Sequence, residues 1–372
     1  MKNFARNLFL WATAGMLATS CLSDEDPFSS GFQFVKPSNV YTMLYANNTR
    51  DSIIMVSWGK WMLTTVSSDD SWFHPLTTSG EPNAIYAFPV NFDQNTTGRS
   101  RYVQCRLVDT EHTEVQADFV YWQYATRGDG SLGSAPLVKG IKSSDGYEVS
   151  IRYDALCRPL SLTTQNAAGV KIHNISVVYD EGDSLITVRD GYDEMKAKMD
   201  KGYQTERLVG ERDTAGYYSQ YGNYGIPLSA NQAFNFEQHK RGGDYQAFAY
   251  LLNGQSLYAD SIHNADSLRY QRWMSSQETS ARTEKLKLVY SQNDNRCQSV
   301  DVNQLLLGME DCNPMLLLSM FRYTRNCNII ARASSDAGDI VVTTELNADK
   351  SVSRLIVKDE RLGTETEYIF SY

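Results

Sequence analysis

The chain has 372 residues, of which 42% are hydrophobic, and its 24 glycines bring the apolar share close to that of an ordinary globular protein. This composition excludes a mostly disordered chain. Lysine and arginine total 35 against 44 aspartates and glutamates, and the resulting net charge of −9 disfavours nucleic acid as a partner. At roughly 100–200 residues per domain, the length predicts two domains.

Residues 1–20 have the pattern of an export signal. Lys2 and Arg6 form a short basic region, residues 8–18 are apolar, and acidic residues are absent. The apolar stretch is shorter than the roughly 20 residues that a membrane-spanning helix needs. Small residues precede Cys21, and this arrangement resembles the cleavage box of bacterial lipoproteins. That resemblance implies removal of the signal and a lipid on this cysteine, and the alternative is ordinary secretion with an incidental cysteine.

An acidic run follows the cysteine, within a tether that we place at residues 21–31. The run consists of Ser23, Asp24, Glu25 and Asp26. It resembles the surface-export signal of Bacteroidetes lipoproteins, which implies a lipid-anchored outer-membrane protein facing the extracellular medium. The alternative is a plain solvated tether. No later stretch is apolar for the length of a membrane span, so lipid on Cys21 is the one predicted membrane attachment.

Five cysteines remain after Cys21, and an odd number leaves at least one thiol outside any intramolecular disulfide. They are Cys105, Cys157, Cys297, Cys312 and Cys327. A full disulfide framework is thereby excluded, and individual pairings stay open. Because no Cys-x-x-Cys occurs and the five histidines are scattered, the sequence predicts no metal site, and it predicts no cofactor.

Glycine, serine and proline concentrate in residues 126–138, which is typical of a linker between two strand-rich regions. A Gly-x-Gly-x-x-Gly at 128–133 has the spacing of a dinucleotide-binding loop, but no amphipathic helix follows to receive a pyrophosphate. The tripeptide Arg127-Gly-Asp129 also matches an adhesion motif, which a charged glycine-rich segment produces by chance. We therefore predict neither dinucleotide binding nor adhesion from this segment.

Residues 32–125 have the pattern of a β-sandwich. Residues 102–108 alternate apolar and polar side chains, other short runs are rich in β-branched and aromatic residues, and turn-rich stretches separate them. The segment resembles the BACON family (Bacteroidetes-associated carbohydrate-binding often N-terminal). The resemblance is carried by Trp61, Trp72, Phe73, Gly80, Asn95, Thr97, Gly98, Arg99, Ser100, Arg101 and Gln123. It implies an immunoglobulin-like fold, with a role in glycan contact or as a spacer above the membrane.

Four tryptophans of this module are candidates for stacking on sugar rings. They are Trp58, Trp61, Trp72 and Trp122. An aromatic face suits the C–H face of a pyranose, whereas a tryptophan in so small a domain more often fills the core. We assign Trp61 and Trp72 to the core. We keep Trp58 and Trp122 as candidate ligand-binding residues, with core packing as their alternative.

Residues 139–372 contain a degenerate strand-turn-strand repeat. Two units carry a Tyr-Asp pair at the turn, Tyr153-Asp154 and Tyr179-Asp180, and further strand-like runs follow. Each hairpin is marginal alone and stable when stacked, so the repeat predicts a large antiparallel sheet with few short helices. The hairpins resemble those of a Bacteroidetes lipoprotein family of unknown function, and so does the element Asp301-x-Asn303-x-Leu-Leu. Residues 192–285 lie outside this resemblance.

Three local features of this region bear on a site. A polar pair ahead of a leucine-rich run is a good cap, so we expect Asp301 and Asn303 to cap rather than to catalyse. Met195 and Met199 predict a short helix over residues 193–201 with both methionines inward.

Four tyrosines among glycines are typical of a loop that carries a binding site, and packing over the sheet is the alternative. These candidate ligand-binding residues are Tyr217, Tyr218, Tyr221 and Tyr224.

No catalytic constellation is present in the sequence. Ser57-x-x-Lys60 matches a penicillin-binding spacing without its companion motifs, and a carboxylate pair for glycoside hydrolysis is not recognisable from local sequence. The sequence therefore predicts a non-catalytic surface lipoprotein that contacts extracellular polysaccharide or oligosaccharide. The alternatives are a structural lipoprotein that binds an outer-membrane protein partner, and a glycan hydrolase without a recognisable motif.

Overall fold

The computed structural model describes residues 31–37, 40–180, 182, 184–190, 193–200, 203–207, 232–239, 245–251, 264–273, 282–309, 312–320 and 325–372. Most of the described residues lie in β-strands and few lie in helices, so the predicted mainly β fold is confirmed. The chain forms two compact units. The first comprises the described residues up to 42 with 50–93 and 102–121, and the second comprises 43–49, 94–101 and the described residues from 122 onward.

Two small sheets lie in the N-terminal part of the chain. Their strands are β1 (Phe32–Lys36), β2 (Tyr41–Leu44), β3 (Arg50–Ser57), β4 (Trp61–Thr65), β5 (Phe73–Pro75), β6 (Ser79–Gly80), β7 (Ala84–Phe92), β8 (Arg101–Asp109) and β9 (Gln116–Gln123). One sheet has the strand order β1-β3-β7-β5, and the other has the order β2-β9-β8-β4-β6.

These two sheets pack face to face as a β-sandwich. Aromatic rings join them: Trp61 of β4 stacks on Phe88 of β7 with ring centroids 5.7 Å apart. Similarly, Phe119 of β9 meets Phe34 of β1 edge to face at 5.4 Å. Trp61 and Trp72 are 0% and 1% exposed, so both fill the core as predicted. The predicted sandwich is therefore confirmed.

The part of the second unit that the structure describes is built on one antiparallel sheet of fifteen strands. They are β10 (Gly140–Ser143), β11 (Glu148–Tyr153), β12 (Pro159–Gln165), β13 (Lys171–Tyr179), β14 (Leu185–Asp190), β15 (Asp193–Asp200), β16 (Tyr203–Arg207), β17 (Gln232–His239), β18 (Tyr245–Leu251), β19 (Ser267–Trp273), β20 (Arg282–Asp294), β21 (Asn328–Ser335), β22 (Gly338–Leu346), β23 (Val352–Asp359) and β24 (Thr364–Ser371).

This large sheet is a meander of hairpins. Strands that follow each other in the chain are neighbours in the sheet, apart from β16 and β17, which lie at its two ends. The last strand, β24, pairs with the first, β10, so that Ser371 lies opposite Gly140. The hairpin-built antiparallel sheet predicted from the sequence repeat is thus confirmed.

The aspartates of the Tyr-Asp pairs stabilise the turns between hairpin strands. Asp154 Oδ1 accepts hydrogen bonds from the backbone N–H groups of Leu156 and Arg158, both at 2.9 Å. Asp180 does the same with two backbone N–H groups of its own turn. A short carboxylate that satisfies turn N–H groups is a common reason for aspartate at such positions. The repeat in the sequence therefore has a local physical cause.

The prediction of a short helix over residues 193–201 is wrong. This segment is strand β15, which pairs with β14 on one side and β16 on the other, and Asp193 lies opposite Asp190. Met195 and Met199 are also spaced for a strand, because the residues between them alternate with lysine in a two-residue period. Backbone pairing on both edges of the strand outweighs the weak helical spacing of two methionines.

A leucine-rich segment packs against the buried face of the large sheet. It contains the 3-10 helices Asn295–Cys297 and Val302–Leu307 and the short α-helix Pro314–Leu317, and its apolar side chains join the core of the sheet. Asp301 caps the second 3-10 helix by accepting a hydrogen bond from the Asn303 N–H at 3.1 Å, so the predicted capping role is confirmed for Asp301. Asn303 lies inside this helix and is not its cap; its side chain accepts from the Ile330 N–H. In the described ranges, no helix is both long and apolar enough to cross a bilayer.

Replacing Trp61 with alanine is expected to lower the free energy of unfolding by about 3–5 kcal/mol, because it empties a packed site in the sandwich core. The indole ring contacts the rings of Phe88 and Tyr86, at 5.7 and 5.0 Å between centroids. The control is Met62→Ala at the next position, which is 45% exposed and should change stability by about 0.5 kcal/mol or less. Urea unfolding of the full chain, followed by circular dichroism, measures both. A Trp61→Ala loss below about 1 kcal/mol would contradict the core assignment.

Candidate functional site

The solvent side of β8 carries polar and aromatic side chains. Val103, Cys105 and Leu107 are fully buried, so the alternate residues of the strand project to the opposite side of the sheet. Those residues are Tyr102, Gln104, Arg106 and Val108. Tyr102 is 52% exposed, which shows that this side of the sheet is open to solvent.

Two further strands of the same sheet extend this open side. On β9, Asp118 and Val120 alternate with the buried rings of Phe119 and Tyr121. On β2, which lies beyond β9, Tyr41 is 59% exposed. Because adjacent strands are about 4.8 Å apart, the backbones of β2 and β8 lie about 10 Å apart across β9. We call the following residues the tyrosine face: Tyr41, Tyr102, Gln104, Arg106 and Asp118.

The polar residues of the tyrosine face form one hydrogen-bonded group. Arg106 donates from Nε and Nη2 to the two carboxylate oxygens of Asp118, at 2.7 and 2.8 Å. Gln104 Nε2 donates to Asp118 Oδ2 at 3.1 Å. The hydrogen bond with Arg106 lowers the pKa of Asp118 and raises the pKa of Arg106. Both side chains therefore stay charged at neutral pH, and their planar pairing orders this part of the tyrosine face.

The two tryptophans kept as candidate ligand-binding residues are both half-buried. Trp122 is the next outward residue of β9 after Val120. Trp58 directly follows β3, and its backbone N–H donates to the Gly31 carbonyl oxygen at 3.2 Å. Tyr41 and Tyr102 are more exposed than either tryptophan. The aromatic rings most accessible to a ligand in this part of the chain are thus tyrosines.

Other predicted site residues lie outside the described residues. They are the lipidation residue Cys21, the export-signal residues Ser23, Asp24, Glu25 and Asp26, and the loop tyrosines Tyr217, Tyr218, Tyr221 and Tyr224. Lipidation, surface export and ligand binding at these positions stay predictions.

Sequence reasoning did not single out Tyr41 or Tyr102 as site residues. A signal for Tyr102 was present, because apolar residues at 103, 105 and 107 assign the odd positions of its strand to the core and the even ones to solvent. Tyr41 had no comparable signal, since its strand is only four residues long. The pairing of β2 within the sheet decides which side Tyr41 occupies.

The Arg127-Gly-Asp129 tripeptide is buried inside the second unit. Arg127 and Asp129 are 2% and 5% exposed. Arg127 Nε donates to Ser131 Oγ at 2.7 Å, and Asp129 Oδ1 accepts from the Ser131 N–H at 2.9 Å. An adhesion motif must be accessible to its receptor. The structure therefore agrees with our rejection of that function and assigns these charges to a structural role.

Two further buried ionisable side chains lie in the same unit. Asp301 and Arg325 are 1% and 7% exposed. Asp301 accepts hydrogen bonds from Asn295 Nδ2 at 2.7 Å and Gln304 Nε2 at 3.1 Å, and Arg325 Nη1 donates to the Gln298 carbonyl oxygen at 2.7 Å. Burial raises the pKa of Asp301 and lowers that of Arg325, and the opposite charge of each opposes the other's shift. Arg127 and Asp129 also act electrostatically on Arg325, so four ionisable side chains are buried in this part of the unit.

The described residues contain no group of three or more side chains placed to hold a metal ion. Burial raises the pKa of the thiols of Cys105 and Cys312. Both are therefore protonated at neutral pH, and a protonated thiol is a poor nucleophile. These two cysteines act as small apolar core residues.

Comparison with known proteins assigns no family to the chain. No protein-family model matches the sequence, and comparison with curated proteins gives no match.

Three solved structures show weak likeness to the chain. A Bacteroides ovatus GH5 xyloglucanase in complex with a XXXG heptasaccharide has 16% identity and a TM-score of 0.22, over 28% of this chain and 21% of that one. A porin-like protein from Bacteroides uniformis has 15% identity and a TM-score of 0.36, over 64% of this chain and 98% of that one. A PapD-like domain of human CEP192 has 16% identity and a TM-score of 0.20, over 28% of this chain and 94% of that one. At these TM-scores, none of the three supports an assignment of fold or function.

Asp301→Ala is expected to lower the free energy of unfolding by about 3–5 kcal/mol, because it leaves the buried donors of Asn295, Gln304 and Asn303 without their acceptor. The matched control is Asp336→Ala in the exposed turn between β21 and β22, which should change stability by about 0.5 kcal/mol or less. Urea unfolding of the full chain measures both variants. Equal stability of the two would show that the buried carboxylate contributes nothing to the fold.

Proposed function

We propose that this protein is a lipid-anchored protein of the outer-membrane surface that binds extracellular glycans without catalysis. The tyrosine face carries the glycan part of the proposal, because Tyr41 and Tyr102 expose 59% and 52% of their surface on one side of a sheet. Strands on rigid sheets hold such side chains in place before a ligand arrives, which reduces the ordering cost of binding.

The chemistry of the tyrosine face suits a sugar ring. A tyrosine ring offers an apolar face and a polar hydroxyl tip, and a pyranose offers an apolar C–H face bordered by hydroxyls. Beside Tyr102, the hydrogen-bonded group of Gln104, Arg106 and Asp118 supplies ordered donors and acceptors for those hydroxyls. A flat surface that combines stacking with directed hydrogen bonds fits a segment of an extended glycan chain.

The sequence of the N-terminus supports the location. A basic, then apolar, then small-residue pattern leads into Cys21, and the acidic run at 23–26 follows it. Lipid on this cysteine would leave a tether of residues 21–31 between the membrane and strand β1. A chain attached in this way at the cell surface meets polysaccharides of the medium before they enter the cell.

Asp118 and Asp301, the two carboxyl groups described above, are both unsuited to act as the acid of a glycoside hydrolase. A general acid for glycoside hydrolysis must hold a proton near neutral pH and reach the substrate. Asp118 is accessible, but Arg106 lowers its pKa. Asp301 has a raised pKa, but it is 1% exposed and hydrogen-bonded within the core. Neither residue combines the two properties that the reaction needs.

The double variant Tyr41→Ala/Tyr102→Ala is expected to lose at least about tenfold in affinity for a bound polysaccharide, since two aromatic stacks at about 1 kcal/mol each exceed that factor. The full chain in mild detergent is tested against immobilised polysaccharides by biolayer interferometry, with an assay for released reducing ends. Ile85→Ala is the control, because this side chain is 61% exposed on the other sheet of the sandwich. It should bind like the wild type.

The same assay tests the other candidate residues. Trp58→Ala and Trp122→Ala are measured singly, and the loop tyrosines are changed together. The loop variant replaces Tyr217, Tyr218, Tyr221 and Tyr224 with alanine. A loss of binding in one of these variants, with the double tyrosine variant unaffected, would contradict the tyrosine face as the site. Release of reducing ends by the wild type would contradict the absence of catalysis.

Cys21→Ser is expected to abolish incorporation of labelled palmitate and to release the protein from the membrane fraction, because the thiol is the predicted acyl acceptor. Cys157→Ser, at a half-buried cysteine, is the control and should retain both label and membrane association. Protease added to intact cells tests surface exposure. A membrane-bound, unlabelled wild type would refute the lipid anchor.

A further inference from the structure

Arg106 is the cation of the tyrosine face, and its charge is already paired. Its Nε and Nη2 both donate to Asp118, at 2.7 and 2.8 Å, in the parallel two-bond geometry that a guanidinium forms best with a carboxylate. An anionic ligand that pairs with both Nε and Nη2 would need this same edge of the guanidinium. Asp118 therefore occupies the position that a uronate carboxylate or a sulfate would take.

The pairing also removes the long-range attraction for anions. The Arg106 and Asp118 side chains are 35% and 36% exposed, so an approaching anion meets both charges at similar distance and its attraction to one is cancelled by the other. Among the described outward positions of β4, β8 and β9, Arg106 is the one cationic side chain. The chain as a whole carries a net charge of −9, which repels anions further.

The polar groups of the tyrosine face can still form hydrogen bonds with uncharged hydroxyls. Gln104 donates Nε2 to Asp118 Oδ2 at 3.1 Å, which orients its amide and leaves the Oε1 as an acceptor. The carboxylate of Asp118 has acceptor positions beyond the three hydrogen bonds that it receives from Arg106 and Gln104. Tyr102 adds an aromatic ring that is 52% exposed. Sugar hydroxyls are matched donors and acceptors for these groups.

We infer that the tyrosine face takes neutral glycans and rejects glycans that carry carboxylate or sulfate groups, with Asp118 acting as the built-in competitor for the Arg106 guanidinium. This inference rests on the proposed function and adds the class of ligand. Asp118 is then a specificity-determining residue. Its removal converts a paired cation into an open anion site.

The test compares each neutral polysaccharide with its own carboxymethyl derivative, so that the two probes share one glycan backbone and differ in the carboxymethyl groups. Galactomannan, β-glucan and dextran are immobilised in both forms, and the full chain in mild detergent is the analyte. The wild type should bind at least one neutral form about tenfold more tightly than its carboxymethyl form, which is the effect of about one charged hydrogen bond. Asp118→Asn should gain about tenfold on the carboxymethyl form at low salt and lose that gain at high salt.

Arg106→Gln is the matched control, because it removes the cation while Asp118 stays. It should show no gain on the carboxymethyl form. Thermal melting by circular dichroism confirms that each variant is folded, as expected at positions more than a third exposed. Equal or tighter wild-type binding to the carboxymethyl form, or a folded Asp118→Asn without gain, would overturn the inference while glycan binding stands. Absence of wild-type binding to both forms of all three polymers would overturn the proposed function and the inference with it.

Discussion

Backbone pairing between neighbouring strands is the constraint on which the rest of this structure depends. Once a strand is paired, its side chains alternate between the two sides of the sheet, and every second residue must be compatible with burial. In β8 the buried residues Val103, Cys105 and Leu107 leave the intervening positions to solvent. The same rule places apolar residues of β11 to β14 in the core of the second unit, with Leu162 at 0% and Ile186 at 1% exposure. The same alternation of side chains along a strand therefore supplies the core on one side of the sheet and the candidate site on the other.

Irregular segments in the second unit are stabilised by side chains that substitute for missing strand partners. Aspartate caps turns and helix starts at Asp154, Asp180 and Asp301. Asn303 accepts a hydrogen bond from the Ile330 N–H at 2.8 Å, which connects the leucine-rich segment to strand β21. Buried backbone N–H groups need such partners, because an unsatisfied one costs about 1–3 kcal/mol. The same principle applies to the buried ionisable side chains of Arg127, Asp129, Asp301 and Arg325, because each has hydrogen-bond partners within the core.

The tyrosine face combines aromatic rings on packed strands with polar groups that are held by hydrogen bonds. Its rings stand on strands whose opposite side is packed, so Tyr102 projects from the same backbone that buries Val103. Its charges are locked in a planar pair between neighbouring strands, so the surface is ordered and nearly neutral. A surface of this kind suits ligands recognised by shape, stacking and hydroxyl contacts, and the lipid anchor that we propose would hold it at the cell exterior.

The sequence alone determined the mainly β class, the stacked hairpins, the burial of Trp61 and Trp72 and the cap at Asp301, because each follows from local alternation, composition or turn chemistry. It also carries the predicted export and lipidation signals, which are read as linear segments. Tertiary structure decided the rest. Sheet pairing made residues 193–200 a strand in place of a helix, and packing buried Arg127 and Asp129 although they stand in a glycine-rich segment. The pairing of Arg106 with Asp118 joins residues twelve positions apart on different strands, and strand register, which no local pattern specifies, brings them together.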